Sequence, residues 1–255
     1  MNEASQIMIT GGSAGALAVY LHYDYMMDEL ILPRMMNRKQ LQYYGAMPDS
    51  GFFMAYENET MNFVGGMQWI YTHQNASRGV NDQCVQYWGG ALKEGWKCMF
   101  AQYTAPFMKH RMWPLQGQYD SWQVQYILGS SDAAMVNEYG RNLSDTYFDV
   151  MFRNNAQNGV FMDSCYHHDW SWNYCVNGTD EKHAVVDWFY SLWGVNNSDG
   201  QYTWFQNDSY PCHSCCHSCK DHGDDGTSSV NNMKVFIRFT FVLLSLTCVY
   251  TVYVC

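Results

Sequence analysis

The chain has 255 residues and a mass of 29.6 kDa, enough for one large domain or two small ones. Hydrophobic residues at 47% against charged residues at 15% supply a sizeable core and exclude a chain disordered throughout. The formal net charge of −10 argues against a nucleic-acid partner, whose affinity rests on basic side chains displacing counterions, and disfavours polyanionic substrates.

The first element is a short apolar run, Gln6-Ile7-Met8-Ile9-Thr10, that ends at Gly11-Gly12-Ser13-Ala14-Gly15. Ala16 to Leu21 then continue without Gly or Pro into a helix-compatible stretch. Strand, glycine-flanked serine and helix is the arrangement of a nucleophile elbow, in which flanking glycines avoid collisions and the serine hydroxyl stands exposed at a strained tip. Leu41 to Ala46 is the next strand candidate, stopped by the turn residues Pro48-Asp49-Ser50-Gly51. A third strand is expected just before Gln118-Tyr119-Asp120. A fourth is Gly159-Val160-Phe161-Met162, running into Asp163-Ser164-Cys165-Tyr166-His167-His168. Each delivers polar, chemically capable residues past its C-terminal end, the edge at which parallel α/β sheets build their sites.

Ser13, Asp120 and His168 occur in the order nucleophile, acid, histidine, which is the chain order of α/β-hydrolases. The chemistry needs these three types. Serine is a weak nucleophile at neutral pH, so an imidazole must take its proton, and a carboxylate must fix the imidazole tautomer and stabilise the imidazolium. The backbone N–H of Ala14 is expected to be one oxyanion donor. Asp163, five residues before His168, competes as the acid, though order and loop context favour Asp120. His167 competes with His168; one of the two should face the site and the other solvent or a loop carbonyl. His22 and His73 read as ordinary histidines.

Ten cysteines and six Asn-x-Ser/Thr sequons, at Asn58, Asn75, Asn142, Asn177, Asn196 and Asn207, point to the secretory pathway. Chance would give roughly two such sequons. Cys212-x-x-Cys215-Cys216-x-x-Cys219, with His213 and His217, has zinc-ligand spacing, but a secreted chain favours disulfides. Cys84 with Cys98 and Cys165 with Cys175 are plausible bridges, although spacing does not determine connectivity. No signal peptide is evident at the start. Residues 1–222 read as an α/β-hydrolase domain, 223–233 as a polar spacer, and 234–255 as a hydrophobic C-terminal tail. That tail is expected to be a glycolipid-anchor signal or a transmembrane helix at the cell surface.

Several blocks, taken together, resemble the pectin acetylesterase/Notum family. Gly12-Ser13-Ala14-Gly15-Ala16-Leu17-Ala18 is similar to its elbow, and Asp49-Ser50-Gly51-Phe52-Phe53 to its acidic-small-Gly-aromatic segment. Cys98-Met99-Phe100-Ala101-Gln102-Tyr103, Gln118-Tyr119-Asp120-Ser121-Trp122-Gln123 and Ser164-Cys165-Tyr166-His167-His168 resemble its Cys-aromatic-Gln-Tyr block, acid loop and histidine loop. Tyr210-Pro211-Cys212 and Cys216-His217 are similar to the end of the plant members. The resemblance implies an extracellular carboxylester hydrolase with an α/β-hydrolase-like fold: a mostly parallel sheet flanked by helices, lacking the strands that precede the nucleophile elbow. It implies Ser13, Asp120 and His168 as the triad, with neither metal nor organic cofactor.

Three positions depart from the family pattern. Gly12 stands where the family has Cys, and Ala16 where it has Gly. The family's Gly-Gly-Gly-Trp loop, source of the second oxyanion donor, is not among the twelve residues before Ser13. The expectation is an incomplete sequence, poorly active as it stands. The function expected of the whole protein is removal of acetyl groups from a polysaccharide. The alternatives are deacylation of a lipid-modified secreted protein, or a non-catalytic cell-surface relative that binds glycan.

Overall fold

The apolar runs become strands because both of their faces are buried. The computed structural model describes residues 4–35, 41–153, 155–169, 173–191 and 202–219, with the backbone alone of 236–243 and 246–254. The strands are β1 (Gln6–Gly12), β2 (Tyr43–Asp49), β3 (Leu115–Gly117), β4 (Val160–Asp163), β5 (Cys175–Val176), β6 (Thr179–Asp180), β7 (Thr203–Phe205), β8 (Phe236–Leu243) and β9 (Leu246–Val254). The helices are α1 (Ala14–Tyr25), α2 (Phe63–His73), α3 (Asp82–Tyr87), α4 (Ala101–Thr104), α5 (Ser121–Gln123), α6 (Ala133–Arg153) and α7 (Glu181–Phe189), with shorter turns between them.

Five strands form a parallel sheet in the order β7-β4-β3-β2-β1, as expected for an α/β-hydrolase-like fold. Side chains alternate across it. Ile7 and Ile9 of β1, with Val160 and Met162 of β4, join Val19 and Tyr23 of α1 and Tyr139, Leu143 and Tyr147 of α6 in one core. Met8, Met47 and Phe161 point the other way, against Trp188 and Phe189 of α7 and Trp113. A strand buried on both faces reads as a continuous apolar run rather than an alternation, which is how Gln6–Thr10 and Gly159–Met162 look in the sequence. Helix α6 buries Val136, Tyr139, Leu143, Tyr147, Val150 and Met151, the three-to-four spacing of one helical face. Each such side chain contributes about 1.5–3 kcal/mol on leaving water. Strand β7 had no expected counterpart; its three residues follow a segment without a clear pattern.

The apolar tail differs from the transmembrane helix that was one expectation for it. Here β8 and β9 pair antiparallel, and β9 pairs antiparallel with β1, from Ile7 opposite Val254 to Thr10 opposite Thr251. The segment is rich in Val, Thr, Tyr and Phe, residues suited to a pleated strand, and the edge of β1 offers a row of backbone donors and acceptors to pair. Among the described residues, no helix is long and apolar enough to cross a membrane. The spacer expected at 223–233 and the sequon at Asn196 lie outside the described residues.

Among the described residues four disulfides are formed: Cys84–Cys98, Cys165–Cys216, Cys175–Cys219 and Cys212–Cys215. The first agrees with expectation. Cys165 does not pair with Cys175, however. The fold brings Cys216, from after β7, against the end of β4, and leaves Cys175 beside Cys219; chain separation carried no information about that proximity. The zinc reading of Cys212 to Cys219 meets sulfurs already committed to disulfides, whereas zinc takes thiolates.

Candidate active site

The edge of the sheet at the C-terminal ends of β1 to β4 gathers the expected residues. Ser13 sits between β1 and α1 with φ 55° and ψ −121°, a region that costs a non-glycine residue of order 1–3 kcal/mol. Its N–H donates to the Asp49 carbonyl (2.9 Å), and its carbonyl accepts the first helical bond from Leu17 (3.0 Å). Two glycines make this turn possible. A Cβ on Gly11 would lie 2.5 Å from the carbonyl carbon and oxygen of Gly15, and one on Gly51 would lie 2.5 Å from the Ala16 carbonyl carbon. The elbow is therefore pressed between its own helix and the loop after β2.

His168 joins the two other residues. Its Nε2 lies 2.8 Å from Ser13 Oγ and its Nδ1 lies 2.8 Å from Asp120 Oδ2. The carboxylate can only accept, so Nδ1 carries the proton and Nε2 accepts from the serine hydroxyl. Asp120 is fully buried at the start of α5. Its Oδ1 accepts from the Gln123 N–H (2.9 Å), and its Oδ2 accepts also from Gln116 Nε2 (3.1 Å). Burial pulls the His168 pKa down, but the hydrogen bond and charge of Asp120, followed by the charges of Asp169 and Asp49, more than offset it; the net shift is upward. Ala14, expected as an oxyanion donor, is the first residue of α1, at the positive end of a twelve-residue helix.

The rival candidates separate cleanly. Asp163 does not reach His168; its carboxylate accepts from His167 Nε2 at 3.0 Å through both oxygens. The second histidine, expected to face solvent or a loop carbonyl, instead meets a buried acid through Nε2. His73 stacks on Trp69 (4.4 Å) and bonds its carbonyl, one turn back on α2.

Sequence reasoning missed the residues that support this row. Gln116 and Gln123 form a buried cradle: Gln116 Oε1 accepts from Phe52 N–H, Gln123 Oε1 from Met54 N–H and Tyr139 Oη, and Gln123 Nε2 donates to the Phe52 carbonyl. The two glutamines thus lock the loop after β2 to the turn that carries Asp120. Aromatic rings flank the imidazole. Trp122 stacks near His168 at 6.1 Å and Phe53 lies at 6.2 Å, with Phe63 behind both (5.7 and 6.1 Å) and Phe100 beyond (5.9 Å). Gln123, Phe53 and Trp122 lay within blocks already singled out. Gln116 and Phe63 carried no local signal.

The profile of the family described as pectinacetylesterase matches residues 1–217. The chain is 24% identical over 250 residues to pectin acetylesterase 5 of Arabidopsis thaliana, covering 86% of this chain and 53% of that protein. It is 27% identical over 220 residues to pectin acetylesterase 7 of the same plant, covering 74% and 53%. It thus spans about half the length of the curated relatives it matches. Among solved structures, the Wnt deacylase Notum from Drosophila superposes with a TM-score of 0.62 at 21% identity, covering 85% of this chain and 60% of that one. That likeness shows a shared fold.

Proposed function

Since the chain belongs to the pectinacetylesterase family, we propose that it acts as a serine carboxylester hydrolase in which Ser13 is the nucleophile, His168 the general base and Asp120 the acid that orients it. The single observation that carries this reading is the 2.8 Å and 2.8 Å row from Ser13 through His168 to Asp120, on a serine held at positive φ. Ser13 Oγ attacks the ester carbonyl as its proton passes to His168 Nε2, and the imidazolium is stabilised by Asp120. The oxyanion develops toward the Ala14 N–H at the head of α1. Collapse expels the alcohol, which takes the proton from His168, and water then releases the acyl group by the same relay. No step calls for a metal or an organic cofactor.

For the acyl group, acetate on a polysaccharide is the first choice, in keeping with the plant relatives. The wall of Phe53, Phe63, Phe100 and Trp122 favours a second reading, a longer acyl chain on a protein, since Drosophila Notum is a Wnt deacylase. Esterolysis of acetyl against octanoyl p-nitrophenol esters separates the two. Covalent capture of a fluorophosphonate, lost in Ser13→Ala, tests the serine chemistry itself; no capture by a full-length, folded preparation favours a non-catalytic relative that binds glycan.

Four disulfides support an oxidising, extracellular location. We further propose that the tail at 234–255 is a cleavable glycolipid-anchor signal, whose removal would take β8 and β9 from the edge of β1. A mature C-terminus upstream of residue 234, with release from membranes by a phosphatidylinositol-specific phospholipase, tests it.

A further inference from the structure

A second histidine–carboxylate pair lies one residue from His168 and takes no part in the relay. Asp163, the last residue of β4, is buried, and both of its oxygens lie 3.0 Å from His167 Nε2. The same carboxylate accepts the N–H of Cys165 (2.8 Å), so it holds both ends of the short segment that leads to His167. On its other side, the His167 carbonyl accepts the N–H of Ser121 (2.8 Å), the neighbour of Asp120. Gly117 leaves the room this needs, because a Cβ there would lie 3.1 Å from His167 Nε2. After His168 the backbone is held again: the Asp169 N–H donates to Ser50 Oγ (2.9 Å), which donates to Asp49 (2.9 Å).

We infer that His167 is a positioning residue for the proposed esterase: paired with Asp163, it sets the rotation of the loop and thereby aims His168 at both Ser13 and Asp120. The inference rests on the esterase reading for its kinetic consequences alone. Geometry at the relay is demanding, since a displacement of about 1 Å costs on the order of 10²-fold in rate. The pair holds by charge as well as by hydrogen bonds. The ring is faced by Asp163 from the end of β4, Asp120 from the turn after β3, Asp49 from the end of β2, and the Tyr174 ring (5.1 Å). Burial lowers the His167 pKa, but the charge of Asp163, its hydrogen bond and the charges of Asp120 and Asp49 raise it to about 9, so the ring is an imidazolium at neutral pH.

The test uses the full chain and its His167→Gln and Asp163→Asn variants. Each variant is expected to lose about tenfold in kcat with KM for a small ester unchanged, and the double variant to lose no more than either single one. Wild-type kcat should fall as pH rises through about 9, and His167→Gln should lack that limb. A variant with kcat within about twofold of wild type and a superimposable pH profile overturns the inference. A second readout is independent of turnover: the low-field NMR resonance of the His168 Nδ1 proton facing Asp120 should shift or broaden in His167→Gln. If it stays unchanged, the inference fails, whether or not the protein hydrolyses esters. A full-length, folded wild-type preparation that captures no fluorophosphonate sinks the esterase reading, and the resonance still decides the positioning. Should the variants not fold, titration of wild-type His167 serves: a transition near 9 accompanied by a change at His168 supports the inference. An ordinary histidine pKa, or no response at His168, overturns it.

Discussion

Ser13 and Asp49 are joined by a backbone hydrogen bond of 2.9 Å, from the N–H of the strained residue to the carbonyl at the end of the neighbouring strand. The elbow's unusual dihedrals are therefore held from outside the turn, by the register that places Gly12 opposite Asp49. Gly51 extends the same support by its close approach to Ala16, while the Ser50 hydroxyl ties Asp49 to the Asp169 N–H beyond His168.

A side chain at Gly51 should break this arrangement. Its Cβ would meet the Ala16 carbonyl carbon and the Leu17 nitrogen at 2.5 Å, and backbone atoms in a helix cannot swing aside. Gly51→Ala is expected to cost about 1–3 kcal/mol of stability and to lower esterolysis more than the loss of folded protein accounts for. Urea unfolding alongside initial rates checks it; a variant as stable and active as wild type removes the argument.

Asp120→Asn separates orientation from folding. Asn still accepts from the Gln123 N–H, so the start of α5 survives, but its amide no longer holds the imidazole in the required tautomer. The expected loss is about 10⁴-fold in kcat with a melting temperature close to wild type. Asp163→Asn should lose far less, because its partner is His167. Equal losses at the two positions would mean that the acid has been misassigned.

The acid limb of the rate profile should lie above the ordinary imidazole value of about 6.5. In the proposed relay His168 must be neutral to take the serine proton, and its pKa is raised, chiefly by Asp120 against the opposing effect of burial. Activity is therefore lost as pH falls through that raised value, and Asp120→Asn should move the limb toward lower pH. A limb that stays in place would show that Asp120 does not face the base in solution.

Stability carries the opposite sign. The folded pKa of His167 lies above its unfolded value, so its pair with Asp163 stabilises fully below about pH 6.5 and its contribution fades as pH rises through about 9. Wild type is expected to lose stability over that window in chemical denaturation, and Asp163→Asn to lose much less. Parallel curves for the two would discount the ion pair.

The sequons should not be equivalent in the folded protein. Asn58 is half-buried; its Nδ2 donates to the Leu128 carbonyl (2.7 Å), and its Oδ1 accepts from the N–H groups of Thr60 and Met61. A sugar on that nitrogen would have to enter between two packed segments. Asn75, Asn142, Asn177 and Asn207 are exposed. Peptide mapping of the protein expressed through a secretory pathway is expected to find glycan on these four and none on Asn58; occupancy at Asn58 would contradict the packing.

Local physics made much of this site legible in the sequence. A tight strand-to-helix turn needs small residues around Ser13, a parallel strand buried on both faces needs a short apolar run, and each such run ends where the sheet exposes its polar edge. These demands act over a few residues, so they are written in neighbouring letters. That is why the elbow, the ends of β1, β3 and β4 and the order of Ser13, Asp120 and His168 could be read directly. Strand β2, by contrast, runs through Pro48 to Asp49, into the turn residues expected to stop it. Other matters depended on distances between segments far apart in the chain. Whether His168 takes Asp120 or Asp163, whether Cys165 meets Cys175 or Cys216, and which aromatic ring stands behind the imidazole all follow from strand register and loop packing. Hydrogen bonds and disulfides form only within a few ångströms, and in a seven-strand sheet that proximity is set by the whole fold.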